Sequence, residues 1–310
     1  TKIYAISIDS SGNVVNGWDD NGNRLCNYDS DQYIESFVAT SYGILVTFKD
    51  NRFGSNDVYS QLISFSGELL FGENGLSIAD ADNDQESSSV AFSNDEVLAL
   101  VCWEDFRLGT EYDVYCKYID FNSSQNQWEI SSEIELAGQS NTPGGNQTNP
   151  FVFNHNSDFL VAWEDSRNDV YTDIYFQNFN DGETILSEGG ALLCDSDFDQ
   201  LNPRIGMLSS SEGQNSYLIY WDDMRSSGKE FLNNVFAQSY TPGTDDLSND
   251  SYLMYDFKIE STYPNPFNPS VSIDFSIDQS DFVKLSVYDI KGREVATLFQ
   301  DYLNVGNYSK

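Results

Sequence analysis

The chain has 310 residues, and its 50 acidic side chains outnumber 15 basic ones, which gives a formal net charge of −35. Nucleic acids and anionic membranes bind basic surfaces, so this charge argues against both as partners. Cations, basic proteins and neutral glycans remain open, and a strongly acidic surface also keeps a protein dispersed in saline water. No apolar run approaches the ~20 residues that a membrane-spanning helix needs.

The first predicted elements are a strand at residues 2–9 and the end of another strand at residues 22–26. They align with the third and fourth strands of units that recur further along the chain. We therefore expect the chain to begin inside a unit and to be a piece of a longer protein.

An aromatic-x-Asp-x-Arg motif follows in four copies, whose arginines are 55, 60 and 58 residues apart. The copies begin at Phe48, Trp103, Trp163 and Trp221. An apolar run precedes each copy, and an Asp/Asn-Val/Ile-aromatic strand follows it after a polar loop. No segment has apolar residues at helical spacing. Short antiparallel strands at this period predict a β-propeller-like array, with four-stranded sheets near residues 32–82, 85–139 and 147–199 and a three-stranded copy at 200–240.

The recurrence of the motif indicates a structural role. A motif present in every unit is expected to close the turn of that unit or to bind the unit to its neighbour. We therefore predict buried aromatic rings and arginines bound to aspartates or carbonyls. The residues are Trp103, Asp105, Arg107, Trp163, Asp165, Arg167, Trp221, Asp223 and Arg225. The alternative is a functional role, in which the motif aspartates act as ligands or as acids.

Alternating aspartates in two loops could place oxygen atoms around Ca²⁺. They are Asp80, Asp82, Asp84, Asp195, Asp197 and Asp199. The EF-hand pattern is incomplete, because the glycine after the third acid and the distal glutamate are missing. Solvated loops are the alternative, and calcium is the only cofactor that the sequence suggests.

Signatures of catalysis are scarce. The sequence has no Gly-rich phosphate loop and no CxxC, HExxH or GxSxG motif. A Ser-His-Asp triad or a histidine zinc site would have to be built around the single histidine, His155. Paired carboxylates for glycoside hydrolysis stay open, although no pair stands out among 50 acids.

Two of the four cysteines lie on the strands of one predicted hairpin. Pairing Trp103 with Tyr115 also pairs Cys102 with Cys116, and directly opposed residues lie within the range of a disulfide bond. We predict that these cysteines face each other, although the strands would pair without a bond.

Residues 263–310 form a separate segment. It opens with Tyr263, Pro264, Asn265, Pro266, Phe267, Asn268 and Pro269, in which the prolines favour extended backbone. Alternating apolar residues and a Lys-Gly-Arg turn then predict a partial Ig-like β-sandwich. This opening motif and the hairpin that follows resemble the C-terminal sorting domain of type IX secretion cargo. The resemblance implies that the type IX secretion machinery recognises the tail, and the aromatic-x-Asp-x-Arg repeats also resemble repeats of such cargo.

We therefore predict an all-β chain with propeller-like repeats at 1–240, a linker at 241–262 and a C-terminally truncated sandwich at 263–310. We expect an exported protein, secreted or attached to the outer-membrane surface, whose passenger is a non-enzymatic binding or adhesion module for a glycan or a protein. The alternative is a secreted polysaccharide hydrolase or lyase that uses carboxylates lining a channel.

Overall fold

The computed structural model describes residues 1–125, 127–136, 145–155, 158–168, 171–180, 183–186, 189–208, 216–225, 234–241, 258–263, 270–277, 281–288, 294–304 and 306–310. The chain divides into two compact units, Thr1–Leu247 and Ser248–Lys310. Every strand pairing is antiparallel, and the described residues contain no helix. This confirms the predicted all-β class. The described ranges accordingly hold no helix that could span a membrane.

The first unit contains a short two-stranded sheet and then four larger sheets in chain order. The short sheet pairs β1 (Tyr4–Ala5) with β2 (Asn23–Arg24). The first sheet contains β3 (Gln32–Ala39), β4 (Gly43–Asp50), β5 (Asp57–Ser64) and β6 (Leu76–Ala79). The second contains β7 (Gln85–Phe92), β8 (Leu98–Asp105), β9 (Asp113–Asn122), β10 (Gln127–Ile130) and β11 (Ile134–Glu135). The third contains β12 (Gln147–His155), β13 (Asp158–Asp165), β14 (Asp173–Asn180), β15 (Glu183–Thr184) and β16 (Ala191–Cys194). The fourth contains β17 (Gln200–Leu208), β18 (Ser216–Asp223) and β19 (Asn234–Tyr240).

These sheets follow the predicted periods, with one difference at their outer edge. In the second and third sheets the fourth strand is divided into two short pieces that both pair with the third strand. The sequence there has no continuous apolar alternation, so the two pieces pair separately.

The sheets stack face to face, which explains the apolar runs before each motif copy. On β8, Ala99 and Val101 pack in a core shared with the first sheet, whereas Leu100 and Cys102 pack in a core shared with the third. A third core joins β13 and β14 to β17 and β18. A strand buried on both faces needs apolar residues at consecutive positions rather than alternate ones.

The first strands of the four sheets adjoin one another in order, because β7 contacts β3 and β12, and β12 contacts β17. The sheets therefore follow one another in chain order with their first strands side by side. This arrangement brings the corresponding ends of β3, β7, β12 and β17 together.

The second unit contains two small sheets. One contains β20 (Lys258–Tyr263), β21 (Ser272–Ile277) and β24 (Gly306–Ser309), and the other pairs β22 (Asp281–Tyr288) with β23 (Glu294–Leu303). Phe275 and Ile277 are buried, as the alternation on β21 predicted. Strand β20 begins inside the predicted linker 241–262. The sequence did not predict this strand, because it is defined by backbone pairing with β21 and not by an apolar pattern. Tyr263 ends β20, and the predicted residues Pro264, Asn265, Pro266, Phe267, Asn268 and Pro269 lie outside the described residues.

Candidate functional site

Each motif aspartate is the centre of a buried hydrogen-bond cluster within its own sheet. In the second sheet, the Trp103 indole N–H donates to Asp105 at 2.9 Å, and the Arg107 guanidinium donates to both carboxylate oxygens at 2.9 and 2.6 Å. The guanidinium carbon lies 3.9 Å from the centre of the Tyr115 ring, which pairs with Trp103 across the hairpin. Asp105 is fully buried, so these bonds satisfy a charge that has no contact with water.

The other sheets repeat this cluster. The indoles of Trp163 and Trp221 donate to their aspartates at 2.9 and 3.0 Å, and Arg167 and Arg225 form ion pairs with the same carboxylates. In the first sheet, Phe48 takes the indole position and Arg52 pairs with Asp50 at 2.8 Å. The three motif tryptophans are at most 4% exposed. The motif residues are thus engaged inside the sheets and leave no carboxylate of the motif free for a ligand.

A second carboxylate lies directly across the hairpin from the motif aspartate in three of the sheets. The cross-strand pairs are Asp50 with Asp57, Asp105 with Asp113 and Asp165 with Asp173. Burial, followed by nearby carboxylates, raises the pKa of Asp57 and of Asp113 to about 6. The fourth sheet has the neutral Asn234 at this position.

The acidic loops bind backbone rather than forming a metal cage. Asp84 accepts the backbone N–H of Asn56 at 2.8 Å, and Asp199 accepts that of Thr172 at 3.0 Å. Asn146 makes the equivalent bond to Tyr112 in the loop that lacks acids. Among the residues that the structure describes, Asp80, Asp82, Asp84, Asp195, Asp197 and Asp199 form no group of three or more ligands that could hold a metal ion.

Cys102 and Cys116 lie directly opposite each other on β8 and β9 and form a disulfide bond, with their Cα atoms 4.0 Å apart. The bond lies in the core between the second and third sheets. Cys26 and Cys194 are buried free thiols.

A β-bulge interrupts the first strand of each of the four larger sheets at the same place. Two bulge residues oppose a single motif aromatic, and the pairs are Ile34–Glu35, Ser87–Ser88, Asn149–Pro150 and Asn202–Pro203. Ser87, Asn149 and Asn202 have φ angles of 55°, 52° and 55°, in the left-handed region. Asparagine tolerates this region better than most residues.

Carboxylates of one sheet bind the bulge of the next. Glu35 accepts the backbone N–H groups of Ser87 and Ser88 at 2.8 and 2.9 Å and the Ser88 hydroxyl at 2.6 Å. Glu104 accepts the backbone N–H of Asn149 at 2.7 Å. In the same way, Glu164 accepts the backbone N–H of Asn202 at 2.7 Å. These bonds fix neighbouring sheets to one another at the bulges.

The bulges surround a cavity of about 450 Å³, which we call the bulge cavity. Its lining includes the bulge residues of the first three sheets, Ser36, Ser89 and Phe151, which follow those bulges, and Tyr33, Lys49 and Arg204. His155 lies at the far end of β12, with its ring 6.0 Å from the ring of Tyr217, and it does not contribute to this lining.

The bulge cavity combines hydroxyl, amide, aromatic and charged groups. Burial raises the pKa of Glu35 above its ordinary value, and burial raises that of the nearby inter-sheet carboxylate Glu104 to about 7. Lys49 pairs with Glu86 at 2.7 Å. Arg204 lies over the Phe151 ring at 5.0 Å. The arrangement offers hydrogen-bond donors and acceptors to a polar ligand. Tyr33, which also lines the cavity, is 47% exposed.

Sequence reasoning missed this cavity. The available signal was a repeated Gln-x-Asn-Pro at residues 147–150 and 200–203, together with the glutamate that precedes the motif aspartate in two copies. The first sheet has Lys49 at that glutamate position, and Glu35 of its bulge supplies the carboxylate instead.

Residues 261–310 match the family described as "Secretion system C-terminal sorting domain". This match supports the prediction that the chain is exported as type IX secretion cargo. No curated protein matches the chain significantly.

Three of the solved structures with a similar arrangement are an arabinofuranosidase, an endo-arabinase and a levansucrase. The α-L-arabinofuranosidase of Fusarium graminearum, as a variant with an iminosugar inhibitor, is 11% identical over 69% of this chain and 67% of that chain, with a TM-score of 0.40. The endo-arabinase of Bacteroides thetaiotaomicron is 11% identical over 70% of this chain and 76% of its own, with a TM-score of 0.38. A levansucrase variant of B. megaterium is 8% identical over 98% and 86%, with a TM-score of 0.41. At these TM-scores the similarity carries no argument about activity.

Proposed function

We propose that the chain belongs to an exported protein whose propeller-like passenger binds a glycan in the bulge cavity. The convergence of the β3, β7 and β12 bulges and Arg204 of β17 on one polar cavity is the observation that carries this proposal. The sorting tail directs the protein through the type IX secretion machinery, and the passenger acts at the cell surface or after release.

The lining of the cavity supports binding. The Ser36 and Ser89 hydroxyls, which accept backbone N–H groups, can still donate to sugar oxygens, and the Asn149 side-chain carbonyl can accept. The Tyr33 and Phe151 rings can pack on a sugar face. The bonds of Glu35 to Ser87 and Ser88 assign that carboxylate to the contact between sheets. These contacts support a binding module.

Glycan binding can be tested with purified protein on an array of neutral, uronate-containing and sulfated oligosaccharides. We expect binding that Tyr33→Ala and Phe151→Ala each weaken, because both remove a ring from the cavity. The matched control is Phe37→Ala, which removes a ring that is 70% exposed on β3 and does not line the cavity. Absence of binding, or equal loss in the control variant, would contradict the proposal.

Export can be tested in the native protein in a host with type IX secretion. Removal of residues 261–310 should leave the passenger in the periplasm, whereas the intact protein should reach the surface or the medium. Removal of the short β1–β2 segment, residues 1–24, is the control, because it shortens the chain outside the sorting tail. Equal export without residues 261–310 would refute a sorting role.

A second candidate function is polysaccharide hydrolysis, and the position of Glu35 favours it. A buried carboxyl with a raised pKa in a cavity is suited to act as a general acid. Glu86, which pairs with the lining residue Lys49, would supply the second carboxylate that glycoside hydrolysis needs. The test is release of reducing ends from the glycans that bind. Activity that Glu35→Gln abolishes without loss of binding would establish hydrolysis, and absence of activity would leave the binding module.

A further inference from the structure

The charge of the bulge cavity is opposite to that of the chain. The chain carries 50 acidic and 15 basic residues, whereas the lining contains the cations Lys49 and Arg204 and only one carboxylate, Glu35. Surface composition alone would place several acids around a cavity of this size. The lining thus departs from the acidic composition of the chain, and such a place is compatible with an anionic ligand.

Two of these three charges already have partners within the protein. Lys49 pairs with Glu86 at 2.7 Å. The Glu35 carboxylate accepts three hydrogen bonds from Ser87 and Ser88. The remaining charge on the cavity wall is therefore that of Arg204.

Arg204 differs from the motif arginines. Arg52, Arg107, Arg167 and Arg225 each form an ion pair with the aspartate of their own motif. Within the described ranges, Arg204 forms no ion pair with a carboxylate, and its Nη1 donates a hydrogen bond to the Pro203 carbonyl at 2.7 Å. The guanidinium group has five N–H donors. Arg204 is partly exposed and lines the cavity.

The position of Arg204 in the repeat also sets it apart. In the first two sheets the residue after the bulge is a serine, Ser36 or Ser89, whose hydroxyl accepts a backbone N–H of the next sheet at 3.3 or 3.0 Å. Arg204 occupies this position in the fourth sheet, and Phe151 occupies it in the third. The Phe151 ring lies 5.0 Å from the Arg204 guanidinium and holds it against the cavity wall.

We propose that the glycan carries an anionic group, a carboxylate or a sulfate, and that Arg204 binds this group in the bulge cavity. The planar donor fork of arginine fits both groups. This inference rests on the proposed glycan binding and adds the chemical class of the ligand.

The test is isothermal titration of the intact chain with three probes: trigalacturonate, its neutral methyl ester and a sulfated galactose tetrasaccharide. The first two probes differ in charge and in the methyl groups of the ester, and the third distinguishes sulfate from carboxylate. We expect one of the acidic probes to bind, and Arg204→Gln to weaken its binding about 10- to 100-fold, because a hydrogen bond to a charged group is lost. Binding of the neutral ester should change less than about twofold.

Arg24→Gln is the matched control, since it removes one positive charge from β2, where Arg24 donates to the Tyr28 carbonyl outside the cavity. It should bind the acidic probe as the unaltered chain does, and thermal unfolding should show that both variants are folded. Preference for the neutral ester, or equal weakening by both variants, would overturn the inference and leave glycan binding intact. Absence of binding by all three probes and by every member of the glycan array would overturn both proposals.

Discussion

At the scale of single residues, the motif aspartate explains why an acidic chain can bury so many carboxylates. Asp50, Asp105, Asp165 and Asp223 are all fully buried, and each receives an arginine from two positions further along the chain. Burial of an unpaired carboxylate costs several kcal/mol, so each acid needs the arginine and further donors. These are the indole N–H in three sheets and the side chains of Ser30 and Gln32 in the first. This requirement keeps the motif together as one unit in the sequence.

Among the described residues, Asp57 and Asp113 form no ion pair with a basic side chain, and this leads to a prediction for Asp57. Burial and the nearby Asp80 and Asp50 raise its pKa from 3.8 to about 6. The folded state therefore binds more protons than the unfolded state between these values. Stability must fall as the pH rises through this range and stay lower above it. Asp57→Asn, which introduces the neutral residue type that Asn234 provides in the fourth sheet, should raise the free energy of unfolding at about pH 8 by on the order of 2 kcal/mol.

The measurement is urea unfolding at about pH 8 and at about pH 4, where the gain should disappear because the native carboxyl is protonated. Asp120→Asn is the control, since Asp120 is exposed on β9 and should change stability little at either pH. A gain of equal size at both pH values would show that the charge of Asp57 is not its cause.

At the scale of elements, the β-bulges of the four repeats form both the contacts between sheets and the wall of the cavity. A bulge turns the chain and leaves backbone N–H groups unpaired within its own strand. The neighbouring sheet supplies carboxylates for these groups, as Glu104 does for Asn149. A local irregularity thus becomes the contact between sheets and the wall of the cavity.

The bulge geometry predicts the effect of substitutions at Asn149. Its φ angle of 52° is unfavourable for β-branched residues and suits glycine. Asn149→Val should therefore lower the free energy of unfolding by about 2 kcal/mol, and Asn149→Gly by clearly less, because only glycine keeps the backbone N–H on Glu104 without strain. Chemical denaturation of both variants measures this difference, and equal losses would indicate that the Asn149 side chain, rather than its backbone, matters.

The disulfide of the β8–β9 hairpin gives a third prediction. The cysteines are 14 residues apart, and a closed loop of this size stabilises a fold by about 3 kcal/mol. Cys102→Ala combined with Cys116→Ala should lower the free energy of unfolding by roughly this amount. Reductant should destabilise the unaltered chain and leave the double variant unchanged, because Cys26 and Cys194 are free thiols. A reductant effect on the double variant would contradict this account.

The sequence predicted the strands of the first unit and the sheet periods because each sheet repeats the same apolar run, motif and aromatic strand. It did not predict the bulge cavity, whose walls come from residues that differ between sheets, such as Glu35, Asn149 and Arg204. A register shift changes which residues face a cavity without changing the apolar pattern. Strands β20 and β24 were also missed; both are edge strands that pair with β21.

At the scale of the whole molecule, the net charge of −35 must oppose folding by self-repulsion. Salt screens this repulsion, so the melting temperature should rise from low to high NaCl concentration.

Calcium chloride at matched ionic strength separates screening from binding at the acidic loops. An extra rise with calcium that Asp82→Asn and Asp197→Asn remove would support the calcium prediction. Identical curves would refute calcium binding, and a melting temperature that is independent of NaCl would refute self-repulsion.

The Cys102–Cys116 bond makes the stability of the passenger depend on its location. Reducing conditions in the cytoplasm keep such cysteines as thiols, whereas the periplasm oxidises them. An exported chain would therefore cross the inner membrane before the disulfide bond of its second sheet forms. It would gain its full resistance to unfolding only afterwards. Since the bond lies in the core between two sheets, oxidation at this one hairpin reports that the array has left the cytoplasm.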